Sequence, residues 1–299
     1  MQGCTRRRSD GWFTVGKKSA AAAALVLSGV LLATGCSSGS SGDSGDGGKK
    51  TGGAAPATPS GSASAPADDN GSASEAAYRK WGLKPFPAAP APPADKPVKP
   101  KPGEVPVISD IPTDKKIVFV TFDDGAEKDP KFVEMMRDLK VPFTMFLTDA
   151  AISDNKGYFK PLQELGNSIE NHTLTHPNMR TESGSRQQHE VCGQQEKLTK
   201  EYGKAPRLFR PPYGNWNEAT RAAVKACGPQ TIVLWRESMQ IQNMQYQRGD
   251  KKLHPGDIIL AHFRGKGELK GHTMTEMVAN MFRHIQEQGF AVARLEDYV

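Results

Sequence analysis

The chain has 299 residues, and its 30 Gly and 22 Pro are unevenly placed: residues 37–75 hold no Val, Ile, Leu, Met, Phe, Trp or Tyr and so have nothing with which to build a core. The 186 residues from Asp114 onward read as ordinary globular sequence, enough for one sizeable core, which excludes both a two-domain globule over the full length and a wholly disordered chain. The net charge of +6 is mostly an N-terminal matter: the first 35 residues carry +4, 26 basic side chains face 24 acidic ones from Asp114 on, and no basic stripe alternates with aromatics to suggest a nucleic-acid partner.

Arg6, Arg7, Arg8, Lys17 and Lys18 precede an uncharged run over residues 19–33. That run is shorter than the ~20 residues a settled membrane span needs. A basic start, a short apolar stretch and a small-residue exit make a secretory signal over 1–35. The exit, Leu32-Ala33-Thr34-Gly35-Cys36, resembles a bacterial lipobox, in which the cysteine is lipidated and becomes the first mature residue. Ala33 departs from the more usual Leu, and ordinary cleavage beside a chance Cys is the alternative. With Cys36 as anchor, the protein is expected outside the cytoplasmic membrane, held to its outer face or secreted.

Residues 36–113 read as a disordered tether, Gly/Ser/Ala-rich at first and then Pro-rich, with ten prolines between 85 and 112. Such a chain spans roughly 50 Å as a coil and more where proline extends it. The tether favours a monomer. Tyr78, Trp81, Leu83 and Phe86 interrupt it, either as a sticky piece of linker or as a strap that docks on the folded part. Of the remaining cysteines, Cys192 and Cys227 lie in or at the ends of expected helices; a bridge suits an exported domain, but spacing alone does not show that the geometry fits.

From residue 114 to 299 apolar runs alternate with helical spacing. Residues 116–122 form a buried strand. Asp129-Pro130 opens a helix with Phe132, Val133, Met136 and Leu139 on one face. Residues 143–147 are the next strand, 158–165 a helix ended by Gly166, and Ile169 marks a short third strand. A polar-faced helix over 185–202 closes at Gly203, and 207–209 is short and extended. Asn217 caps a helix to 226. Strands at 231–235 and 257–263, a long amphipathic helix over 273–288 and a last strand at 290–295 complete the chain. This alternation implies βαβ units, and about seven parallel strands without a dinucleotide-type glycine fingerprint favour a distorted (β/α) barrel, whose chemistry sits where the strands end.

The polar residues collect at those ends. The first strand closes on Thr121-Phe122-Asp123-Asp124-Gly125, two adjacent carboxylates that are costly unless a positive group answers them; an Asp-Gly turn is the plainer explanation. After the third strand come His172 and His176, which meet on one face if the segment coils. Two imidazoles and a carboxylate make a common open ligand set for Zn²⁺. Arg210-Pro211-Pro212-Tyr213-Gly214 is a rigid turn that can present a backbone N–H to an oxyanion. Leu260-Ala261-His262 ends a later strand in a histidine.

In this order the four segments resemble motifs of the NodB-homology polysaccharide deacetylases, carbohydrate esterase family 4, over residues 115 to 299. The resemblance implies that Asp124, His172 and His176 hold a divalent metal, usually zinc, with cobalt as a substitute. It makes Asp123 the general base toward the attacking water, and Arg210 its partner. Tyr213 would lend its amide to the oxyanion and His262 would protonate the departing amine. Tyr213, Trp216, Trp235 and Leu260 would line the sugar site. The implied activity is hydrolysis of a non-peptide C–N bond, removing acetyl groups from a cell-wall polysaccharide such as peptidoglycan or a chitin-like chain, with acetylated xylan as a competitor.

One motif is not intact. Family members carry a carboxylate after the Trp that charges the catalytic histidine; here Trp235 is followed by Ser238, Ile241 and Gln242 at the aligned positions. The pKa of His262 is therefore expected to fall, unless Glu237 or another acid substitutes, and Arg236 would push the same way. A catalytically weak wall-binding protein on a deacetylase scaffold is the alternative to an active enzyme.

Overall fold

A computed structural model describes residues 73–299; the signal segment, Cys36 and the first part of the tether lie outside the described residues. In chain order the elements are α1 (Glu75–Lys80), β1 (Val107–Ile108), β2 (Ile117–Asp124), α2 (Pro130–Leu139), β3 (Thr144–Leu147), α3 (Asp149–Ile152), α4 (Lys160–Glu164), β4 (Ser168–Asn171), α5 (Gly184–Tyr202), β5 (Leu208–Phe209), α6 (Glu218–Cys227), β6 (Thr231–Val233), β7 (Glu237–Met239), β8 (Met244–Tyr246), β9 (Ile258–His262), α7 (Met274–Glu287) and β10 (Ala291–Val292). The strands form one curled sheet in the order β1-β6-β5-β4-β3-β2-β9-β7-β8, with β10 beside the start of β2. Every pairing is parallel except the β7–β8 hairpin. This is the expected (β/α) barrel, as a half-barrel.

Local chemistry sets the helix ends. The Asp129 carboxylate caps α2 at the Lys131 N–H, with Pro130 in the first turn. Asn217 with Thr220, and Thr273 with Glu276, form reciprocal capping boxes on α6 and α7. The strands alternate faces with period two. In β2, Val118, Val120 and Phe122 pack toward α2 and α7, while Ile117 and Phe119 face the barrel interior with Phe146, Leu208, Val233 and Ile258. Phe122 sits among Phe132, Phe143 and Phe263, with ring centroids 5.3–5.5 Å away. This aromatic block fixes the end of β2, from which the Asp pair projects.

The tether boundary at residue 113 is a correction. From Ala73 on, the expected tether lies on the folded part as a strap. Tyr78 and Leu83 are buried, and Phe86 stacks edge-on against Phe282 of α7 at 5.5 Å. The Lys96 ammonium donates to the carbonyls of Glu296 and Val299. Farther on, Val107 and Ile108 pair with Ile232 and Val233 of β6, and Asp110 bridges to Asp257 at the start of β9. The strap thus joins β6 to β9 across the seam of the curled sheet. Gly256 is required there: its φ is +87°, and a Cβ would collide with the Ile111 carbonyl. The flanking prolines concealed this strand, because a two-residue edge strand leaves almost no periodic signal.

The β7–β8 hairpin was likewise not anticipated; its residues are short polar runs carried by their neighbours. Cys192 of α5 and Cys227 at the end of α6 are disulfide-bonded, with Cα atoms 4.8 Å apart.

Candidate active site

Strict alternation would send the side chains of Asp123 and Asp124 to opposite faces of the sheet. Asp124 avoids this with a left-handed backbone, φ 72°. The turn brings both carboxylates to His172, whose Nε2 lies 3.7 Å from Asp123 Oδ2 and 3.5 Å from Asp124 Oδ1. A left-handed non-glycine residue is strained, and such strain gathers at functional sites.

His172 and His176 do meet, but not on a helix. The segment between them is an irregular loop in which Thr173 (φ 73°) and His176 (φ 58°) are both left-handed. The two rings stand edge to face at 5.0 Å, and His176 Nε2 is 3.2 Å from Asp124 Oδ1. One ligand atom from each of Asp124, His172 and His176 lies within 4.8 Å of the others. His172 Nδ1 is 2.7 Å from the Arg210 carbonyl, which can only accept, so Nδ1 carries the proton and Nε2 presents its lone pair to the site. Asp124 Oδ1 is buried with no hydrogen-bond partner. An orphaned carboxylate oxygen facing two imidazoles fits a divalent cation.

Burial alone would raise the Asp124 pKa, but the two imidazoles beside it outweigh burial and hold the carboxyl well below the usual range. For His172 burial acts downward, yet the charges of Asp123 and Asp124 prevail and raise it. A metal and a proton therefore compete for its Nε2.

Arg210 supplies the positive group that the Asp pair needs. It is 0% exposed, donates from Nη1 to Asp123 Oδ1 and to Thr121 Oγ1 at 2.7 Å each, and uses Nε and Nη2 on the carbonyls of Val233 and Leu234. Its guanidinium lies 4.2 Å over the Phe146 ring, with Trp235 on another side at 5.7 Å. Burial lowers its pKa and Asp123 opposes that shift. A buried charge pair of this kind positions groups more than it stabilises the fold.

His262 stands at the end of β9, in register with Asp123. Burial pushes its pKa down to about 4; Asp123 and Asp124 act upward, while Arg264 and His172 add to the fall. Its Nδ1 is buried without a partner. Glu237 does not substitute for the missing carboxylate. It pairs with Ile259, three residues before His262 along β9, and is buried beside Asp257, which together with burial drives its pKa up to about 9. Arg236 is engaged with Asp110 at 2.6 Å, and Arg264 is the arginine that acts on His262. Ser238, opposite Leu260, shares the face of His262 but bonds to Gln240.

Tyr213 adopts φ 61° and is 63% exposed, its ring 4.8 Å from that of His176. Trp235 is half-buried, with Gly214 packed against its ring. Leu260 is buried beneath His262 on the same face of β9. Trp216 is partly exposed and carries the Arg221 guanidinium of α6 over its ring at 4.9 Å. Sequence reasoning missed the residues that hold the His172–His176 loop: Asn171 Oδ1 accepts from the Thr173 N–H, and Glu190 of α5 takes the Thr175 N–H. The signal for Glu190 was a polar stripe on α5, which reads as a solvent face.

The strand ends thus bring a candidate metal site, Asp124 with His172 and His176, beside the Asp123–Arg210 pair. Residues 110–232 match the family model for polysaccharide deacetylases. A Streptomyces coelicolor protein described only as uncharacterized is 38% identical over 195 residues, 65% of this chain and 77% of that one. The peptidoglycan-N-acetylmuramic acid deacetylase PdaA of Bacillus subtilis is 26% identical over 196 residues, covering 62% of this chain and 72% of that one. Among solved structures, a carbohydrate esterase family 4 pseudoenzyme from Bacillus anthracis shares the fold with a TM-score of 0.54 and 23% identity, over 67% of this chain and 69% of that one. The chain belongs to the polysaccharide deacetylases of carbohydrate esterase family 4.

Proposed function

We propose that this protein removes acetyl groups from the N-acetylated sugars of peptidoglycan, with a zinc-type ion held by Asp124, His172 and His176. The observation that carries the reading is the Asp123–Arg210 pair set 3.7 Å from the ligand His172. A bound divalent ion supplies Lewis acidity toward the acetyl carbonyl and toward water. Asp123, aimed by Arg210, takes the proton of the attacking water. The Tyr213 N–H faces the developing oxyanion. His262 delivers a proton to the departing nitrogen as the C–N bond breaks, so that water and amide become acetate and a free amine.

Arg264 follows just past the end of β9, near enough to His262 for its charge to act on the imidazole. Its side chain is 30% exposed, and Glu268 is 3.9 Å away. A cation at that rim suits a sugar carrying a carboxylate beside its acetamide, as N-acetylmuramic acid does. PdaA is named for that sugar.

The location is part of the proposal: the signal over 1–35 exports the chain and Cys36 anchors it to the outer face of the membrane. The Cys192–Cys227 bridge supports an oxidising compartment. Membrane fractionation of Cys36→Ala should move the protein to the soluble fraction; retention removes the anchor.

Residues 37–299 loaded with Zn²⁺ or Co²⁺ should release acetate from peptidoglycan, and Asp124→Ala should release none. No acetate from a folded, metal-loaded protein would favour a wall-binding protein, a reading that rests on the unpartnered His262 Nδ1.

A further inference from the structure

The two histidine ligands are oriented by different means. The His172 ring is fixed directly, by Nδ1 on the Arg210 carbonyl. Among the described residues His176 has no such bond; its ring contacts are Asp124 and the faces of His172 and Tyr213. Its direction therefore depends on the loop backbone. That backbone is left-handed at Thr173 and at His176 and needs external restraint.

The restraint comes from α5. Glu190 is fully buried, yet both of its oxygens are used: Oε2 accepts from the Thr175 N–H at 2.8 Å and Oε1 from the Thr175 hydroxyl at 2.7 Å. Arg186, one turn earlier, neutralises the charge at 2.6 Å and also reaches the Thr175 hydroxyl at 3.2 Å. Gly193, one turn later, leaves room for Leu174, since a Cβ there would press on the leucine side chain. From below, the Thr148 hydroxyl donates to the carbonyls of Thr173 and Leu174. A carboxylate in a fully buried position is costly unless answered, and here every answer lies in the residue before the ligand or on the same helix face.

We infer that Glu190 is a positioning residue for the metal centre: by clamping Thr175 it sets the direction of His176 and hence the affinity of the site for its ion. The inference rests on the ligand set proposed above. It concerns a side chain that touches neither metal nor substrate.

The test is the Zn²⁺ dissociation constant of the full chain, measured by chelator competition, together with the melting temperature of the metal-free protein. Glu190→Gln cannot accept both bonds and should weaken zinc by roughly 10–100-fold, the range for partners one step behind a ligand. Thr175→Val keeps the N–H bond, lies at the surface, and should weaken zinc by a smaller factor of about 3–10 while leaving the metal-free melting temperature unchanged; Thr175→Ser should restore parent affinity. The double variant should be no worse than Glu190→Gln alone, because the two changes break one clamp. Parent-like zinc affinity in Thr175→Val overturns the role of Glu190, as does a loss that Thr175→Ser fails to restore. A parent chain that binds no zinc overturns the ligand set as well, which separates the two failures.

Discussion

On the β2, β4 and β5 side of the site, Asp123 is locked to Arg210, Arg210 to two carbonyls and Thr121, and His172 to the Arg210 carbonyl. On the β9 side, His262 occupies the matching strand end, but its Nδ1 meets nothing. Burial is common to both sides, so burial does not make the difference. The first side gives Asp123, Arg210 and His172 oriented partners, and the second leaves a buried imidazole with an unpartnered Nδ1, where burial resists protonation. The comparison teaches that, in the proposed reaction, the groups assigned to the metal and the water are held to close tolerance, while the one assigned to the leaving group is weakly supported.

The sharpest break of that comparison is Asp123→Asn. It should lower turnover by roughly 10³-fold or more while zinc stays bound, read from acetate release and metal content together. Loss of the metal as well would merge base and ligand into one function. Arg210→Met comes next. It strands the buried Asp123 charge and should cost about 3–5 kcal/mol in urea denaturation, because removing one partner leaves the other uncompensated. His262→Asn should be milder, roughly 10–100-fold in kcat with metal affinity intact, since its proton is already held loosely. The smallest change is a gain. Ser238→Asp places a carboxylate on the face of His262, one position diagonal in the ladder. A nearby negative charge favours the imidazolium, so the pKa rises from about 4 and the protonated fraction near neutrality grows. The alkaline limb of the kcat profile should move to higher pH, with a few-fold faster rate at pH 7. An unmoved profile would mean that the acid is not His262.

Much of this arrangement was legible beforehand. The TFDDG, HTLTH, RPPYG and LAH segments gave the rim because each falls at the end of an expected strand, and strand ends are where barrels place chemistry. The pKa of His262 is low as expected, but its leading cause is burial, with Arg264 rather than Arg236 adding to it. Other features were hidden for physical reasons. Gln187, Glu190 and Gln194 recur at helical spacing and look like a wet face, yet they are buried, and only tertiary partners make that tolerable. The arginine that stacks on Trp216 comes from α6 and leaves no signal at that position in the chain. The turn that brings Asp123 and Asp124 together depends on a left-handed φ that no residue type announces at that position.

The strap across the seam also bears on the order of assembly. Its partners are far along the chain: Val107 waits for Ile232, Asp110 for Asp257, Phe86 for Phe282 and Val98 for Tyr298. During synthesis the segment that emerges first among the described residues is seated last. Contacts of such long sequence separation slow folding, because the intervening chain must be ordered before they form. Until the strap is seated, the outer edge of β6 stays open to pairing with other chains.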